Sequence, residues 1–165
     1  MNIFGLAKYL QYEIDSEFFA IYDIPDKPKK FFQTQKLVDF KKVWFYNDSM
    51  KIGGNPDLNY LKNFEQKYQL NLWELASTER MFLYNEFYKF SDSEINSILE
   101  KECKFFENVI DEINPHQVIM LRPFFHHEMI FFKLCKAKGI KVLELDLTRF
   151  PLRCSIGFTE NIKKY

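Results

Sequence analysis

The sequence predicts an α/β domain with a mostly parallel sheet, and three observations carry that prediction. Helical and strand patterns alternate along the chain, which implies parallel strands covered by helices. Residues 91–146 form a complete helix–strand–helix–strand unit. The run Val118, Ile119, Met120, Leu121 lacks polar alternation, as expected of a strand buried on both faces of a parallel sheet.

Each element has its own signal. Phe4 opens a helix with Leu6, Tyr9, Leu10 and Ile14 on one side. Residues 18–24 read as a strand stopped by Pro25 and Pro28, and 29–40 as a short helix carrying Phe32, Lys36, Leu37 and Phe40. Residues 43–46 are rich in β-formers, and Gly53-Gly54-Asn55-Pro56 makes a turn. Pro56 suits a helix start, continued by Leu58, Leu61, Phe64, Glu65 and Tyr68. Residues 70–90 fit neither period and predict a buried connection or a broken helix. Ser91 and Glu94 have capping-box spacing, and Ile95, Ile98, Leu99, Cys103, Phe106, Val109, Ile110 and Ile113 form the stripe behind them. Asn114-Pro115 ends that helix. A turn at 122–125 leads to a second helix closed by Gly139, then a strand over 140–145 and a loose tail.

The totals set limits. The 165 residues include nineteen Phe, nine Tyr and two Trp, an aromatic-heavy composition for one expected domain. Lys plus Arg (23) equals Asp plus Glu (23), so no overall field draws the chain to nucleic acid, and none is expected as a partner. No apolar run reaches the roughly 20 residues of a membrane helix. The start lacks a secretory layout, and Cys103, Cys135 and Cys154 are odd in number and widely spaced. A cytoplasmic location follows as the expectation. A dinucleotide fingerprint, a P-loop and a nucleophile elbow are missing from the sequence.

Several stretches resemble the N-terminal domain of the capsule-polysaccharide-biosynthesis proteins, relatives of the two-domain GT-B glycosyltransferases. They are Gly5-Leu6-Ala7-Lys8-Tyr9-Leu10, Lys30-Phe31-Phe32 with Gln35-Lys36-Leu37-Val38, and Trp44-Phe45-Tyr46. Ser77-Thr78-Glu79-Arg80, with the Tyr/Phe-rich segment after it, and Cys135-Lys136-Ala137-Lys138-Gly139-Ile140 complete the set. The resemblance implies a Rossmann-like three-layer sandwich over 1–147 that lacks the usual first strand. Residues 148–165 would be a tail or the start of a linker to a second domain. The implied role is the acceptor-binding half of an enzyme that moves a glycosyl group from a nucleotide sugar to a carbohydrate. The chain itself would carry no cofactor, the donor being gripped by the second domain. Its location would be the cytoplasm, at the periphery of the inner membrane face.

The turn 122–128 is the best candidate site, because it follows a strand and opens a helix whose free N–H groups favour an anion. Arg122 would grip phosphate or carboxylate. His126 or His127 would act as general base toward a sugar hydroxyl, with Glu128 orienting it. The same residues also fit a structural role, with Arg122 paired to a carboxylate and the histidines capping or packing the helix start. Glu79 and Arg80, in the irregular segment, and Arg149, after the last strand, are further candidate ligands. No metal is expected. His116 lies before the strand, ~17 Å of extended chain from His126, and neighbouring histidines on a helix point different ways. The aromatic run at Phe124, Phe125, Phe131 and Phe132 is expected in the core. The rival reading is a non-catalytic α/β binding or interaction module, pairing through an exposed sheet edge with a second copy or another chain.

Overall fold

Two parallel β-pairs, each with a helix in its crossover, organise the chain in the computed structural model, which describes residues 3–50, 53–83, 85–147 and 154–158. The chain divides into two compact units, Met1–Lys51 and Ile52–Tyr165.

The first unit runs α1 (Ile3–Glu13), β1 (Phe18–Tyr22), α2 (Asp26–Thr34), β2 (Phe40–Phe45) and α3 (Tyr46–Ser49). Parallel strands need a crossover, and α2 supplies it. The register pairs Ala20 with Val43 and Tyr22 with Phe45, with an irregularity between Phe18 and Phe19. The sequence predicts the helix at 29–40; it begins earlier and stops sooner. Pro28 sits in its first turn, where the missing N–H has no intrahelical partner to lose. Past the helix end, Gln35 Oε1 accepts from the N–H groups of Leu37 (2.8 Å) and Val38 (3.0 Å), turning the chain into β2. The Gln11 amide meets both backbone groups of Asp39, donating to its carbonyl (2.7 Å) and accepting from its N–H (3.0 Å). Aromatic rings fill this small unit: Tyr22 stands 4.4 Å from Phe32 and 5.9 Å from Phe45, and Phe4 lies 5.5 Å from Phe32. The Tyr22 hydroxyl is buried, which pushes its pKa up to about 12.

The second unit holds α4 (Leu58–Tyr68), α5 (Leu72–Ser77), α6 (Arg80–Leu83), α7 (Asp92–Ile113), β3 (Gln117–Leu121), α8 (His126–Ala137), β4 (Lys141–Leu147) and β5 (Cys154–Phe158). The capping box of α7 forms as predicted: Glu94 N–H donates to Ser91 Oγ (3.3 Å), and Ser91 N–H to Glu94 Oε2 (2.9 Å). The predicted stripe is buried from Ile95 through Ile110. Asn114, left-handed at φ 42°, ends the helix. Gly139, at φ 72°, closes α8 as expected, with Ile140 N–H donating to Cys135 carbonyl at 2.9 Å. The core centres on Leu99, Cys103, Ile130, Leu134 and Cys135, each nearly or wholly inaccessible. Burial holds the thiol pKa values of Cys103 and Cys135 high, that of Cys135 at about 12, so both are inert packing groups.

The broken-helix reading of 70–90 matches the two short helices there. Asn71 caps α5, accepting from Glu74 N–H at 3.0 Å. β3 and β4 are parallel and in register from Gln117–Lys141 to Leu121–Leu145. β3 is only half-buried, so its apolar run does not reflect cover on both faces. The stretch expected as a loose tail carries β5, antiparallel to β4. Among the described residues the sheets have two and three strands; α/β with parallel pairing is established at that scale. No helix among them is long and apolar enough to cross a membrane.

Candidate functional site

His126 occupies the first position of α8, directly beyond the β3 turn, and two carboxylates from distant parts of the chain close on it. Glu79 comes from the break between α5 and α6, and Glu102 from the buried face of α7. Glu79 Oε2 accepts from the His126 backbone N–H (3.2 Å) and lies 3.0 Å from its Nδ1. Glu102 Oε1 lies 3.0 Å from Nε2. The His126 side chain is 3% exposed and that of Glu102 wholly inaccessible. Phe82 covers the imidazole at 4.9 Å between ring centroids.

Burial pushes the His126 pKa down, but the hydrogen bonds and negative charge of Glu102 and Glu79 outweigh it, so the net direction is upward. The Glu79 carboxyl shows the same contest reversed: burial raises it, and the bonds from His126 hold it below the ordinary range. With a carboxylate on each nitrogen, the favoured ring is the imidazolium, donating from both sides. A cation at a helix N-terminus opposes the helix dipole; adjacent carboxylates at 3.0 Å dominate it.

The predicted residues divide. His126 and Glu79 are brought together. His127 neighbours the group, half-buried, its ring stacked on Phe125 at 5.8 Å and 4° and set 5.4 Å from the His126 ring. Glu128 does not take the orienting role. Its carboxylate accepts from the N–H groups of Phe124 (2.8 Å) and Phe125 (3.1 Å), because a Glu at the third helical position reaches back to the free donors of the cap. Glu79 and Glu102 orient His126 instead. Arg122 points to solvent and pairs with Asp146 at 3.2 Å, while its N–H extends the ladder to the Leu145 carbonyl at 3.0 Å. Arg80 is exposed on α6, and Arg149 lies outside the described residues. His116 is exposed before β3, at the far end from His126 as expected.

Sequence reading missed Glu102, although a signal was present: it stands on the apolar stripe between Leu99 and Phe106, and a charge at a core position requires a buried partner. The aromatic run is also reassigned. Phe124 is 87% and Phe125 47% exposed; they sit on the turn before α8, where no helix face draws them inward. No protein-family model, curated protein or solved structure matches the chain.

Proposed function

We propose that this chain is the acceptor-binding, Rossmann-like half of a GT-B-type glycosyltransferase of surface-polysaccharide assembly, acting in the cytoplasm. The three-layer sandwich belongs to the same proposal. One observation carries the reading: the nearly fully exposed Phe124 stands two residues from Arg122, which pairs with Asp146 where β3 and β4 both end. In α/β sheets ligands bind outside the carboxyl ends of parallel strands. An exposed ring there offers a flat apolar face to a pyranose, and the adjacent guanidinium and carboxylate offer a donor and an acceptor to its hydroxyls. An exposed ion pair is worth at most about 1 kcal/mol, so a ligand displaces it easily. Arg80 and Arg149 are the further ligand contacts of this reading, and His127 its general base, since the two carboxylates occupy both nitrogens of His126.

Titration of the purified chain with nucleotide sugars and acidic oligosaccharides, followed by saturation-transfer NMR, tests the reading. Saturable binding that weakens about tenfold in Phe124→Ala and in Arg122→Ala, one contact's worth of affinity, supports it. A folded chain that binds none of these ligands sinks it.

A second reading, a non-catalytic binding module, is favoured by the engagement of His126 on both nitrogens. Glycan binding by the chain, with no transfer when its neighbouring domain and donor are supplied, would select it.

A further inference from the structure

A second observation lies in the same unit; it does not use Phe124 or Arg122, which carry the glycan reading, and it gives His127 a ligand role in place of the general-base role of that reading. One ligand atom from each of Glu102, His126 and His127 falls within 4.8 Å of the other two. Adjacent histidines were expected to diverge; here their rings cross at 83° with centroids 5.4 Å apart, and a third donor from α7, twenty-four residues upstream of His126, meets them. The chemistry of the set is specific. Two imidazoles and one carboxylate form a borderline donor set suited to zinc-class ions, whereas calcium and magnesium prefer oxygen alone.

The geometry is close to what such an ion requires. Donors at about 2.0 Å from a tetrahedral ion stand roughly 3.3 Å from one another. Nε2 of His126 and Oε1 of Glu102 are already 3.0 Å apart. Bringing the third donor in asks for a shift of about 1.5 Å at most, taken up by the half-buried His127 side chain. Glu79 completes the arrangement from behind: its carboxylate at 3.0 Å from Nδ1 fixes the ring so that Nε2 faces the ion. A carboxylate behind a ligating imidazole is the usual support of a bound metal, since it sets the tautomer and raises ligand basicity. Phe82, packed on the His126 ring, keeps water from that side.

We infer that Glu102, His126 and His127 bind a divalent metal ion of the zinc class, with Glu79 as the positioning residue for His126. Three protein donors leave the fourth position of a tetrahedral ion to water or a ligand. On binding, the ion replaces the proton shared by Nε2 and the Glu102 carboxylate, and that proton leaves to solvent.

The test uses the full chain, stripped with chelator and titrated with Zn²⁺ alone by calorimetry, with cobalt(II) absorption as the readout of coordination. About one ion per chain is expected. His127→Ala should weaken binding on the order of 100-fold, as loss of a donor does, and Glu79→Gln by about 10- to 100-fold, with an altered cobalt spectrum. His116→Ala should bind as the wild type. Glu102→Gln is a second variant of near-equal volume; if it does not fold, the partly exposed His127 carries the test. A folded wild type that takes up no zinc overturns the inference. So does equal affinity in wild type and His127→Ala, which would place the ion elsewhere on the surface.

Discussion

Two hydrogen-bonded hubs draw on α7 and are built in opposite senses. At Glu107 three donors converge on one carboxylate: the hydroxyls of Tyr60 (2.8 Å) and Tyr68 (2.5 Å) and the Lys67 ammonium (3.0 Å). At His126 two carboxylates converge on one donor ring. The first hub ties α4 to α7 with donors on both carboxylate oxygens, and burial, which would raise the Glu107 pKa, is outweighed by the bonds from Tyr68, Tyr60 and Lys67. The second gathers negative charge around a ring at the start of α8, with another imidazole alongside. A carboxylate met by three donors is a clamp; a carboxylate and two imidazoles within 4.8 Å of one another are the place inferred for a cation. Neighbouring positions on one helix thus serve different ends, decided by what faces them.

Breaking the second hub should have the largest effect. His126→Ala, measured with chelator present, leaves two carboxylates facing a cavity and should cost about 3–5 kcal/mol by urea denaturation. Glu102→Leu with His126→Phe should recover much of that, because an apolar replacement removes the desolvation cost. A double variant no more stable than His126→Ala would deny that burial of charge is the issue. The Glu107 hub should be gentler, since each donor is one of three: Tyr68→Phe should cost about 1.5 kcal/mol.

Acid sharpens the contrast. The Glu107 pKa is lowered in the folded chain, so its stabilisation is complete above the unfolded carboxyl value of about 4.3. That stabilisation fades as pH falls through the lower folded value. The stability gap between wild type and Glu107→Gln should therefore be constant near neutrality and close below about pH 4; a gap unchanged at low pH would show that the charge is irrelevant. Smallest of all, Arg122→Ala should change stability by less than about 1 kcal/mol, because the pair with Asp146 is exposed. A larger loss by thermal melting would make that pair a third hub rather than a free contact.

The parts legible in the sequence were those set by local chemistry. The Ser91–Glu94 cap, the α7 stripe and the Gly139 stop need only near neighbours in the chain, and all form. Pro28 misled because proline reads as a breaker while the first helical turn tolerates it. Glu128 looked like a partner for histidine, yet the nearest free N–H groups were those of its own cap. Phe124 and Phe125 read as core by composition, but a turn gives an aromatic ring no face to bury. The meeting of Glu79, Glu102 and His126 depends on three segments far apart in sequence. Only the misplaced charge at Glu102 hinted at it.

The Gln11 amide, in taking both backbone groups of Asp39, behaves as a detached peptide unit laid beside the entrance of β2. A foreign strand seeking to add itself there would find donor and acceptor already occupied. Unpaired strand edges are open to such recruitment, which leads to aggregation. One uncharged side chain, borrowed from a helix, thus guards the small unit against joining its neighbours.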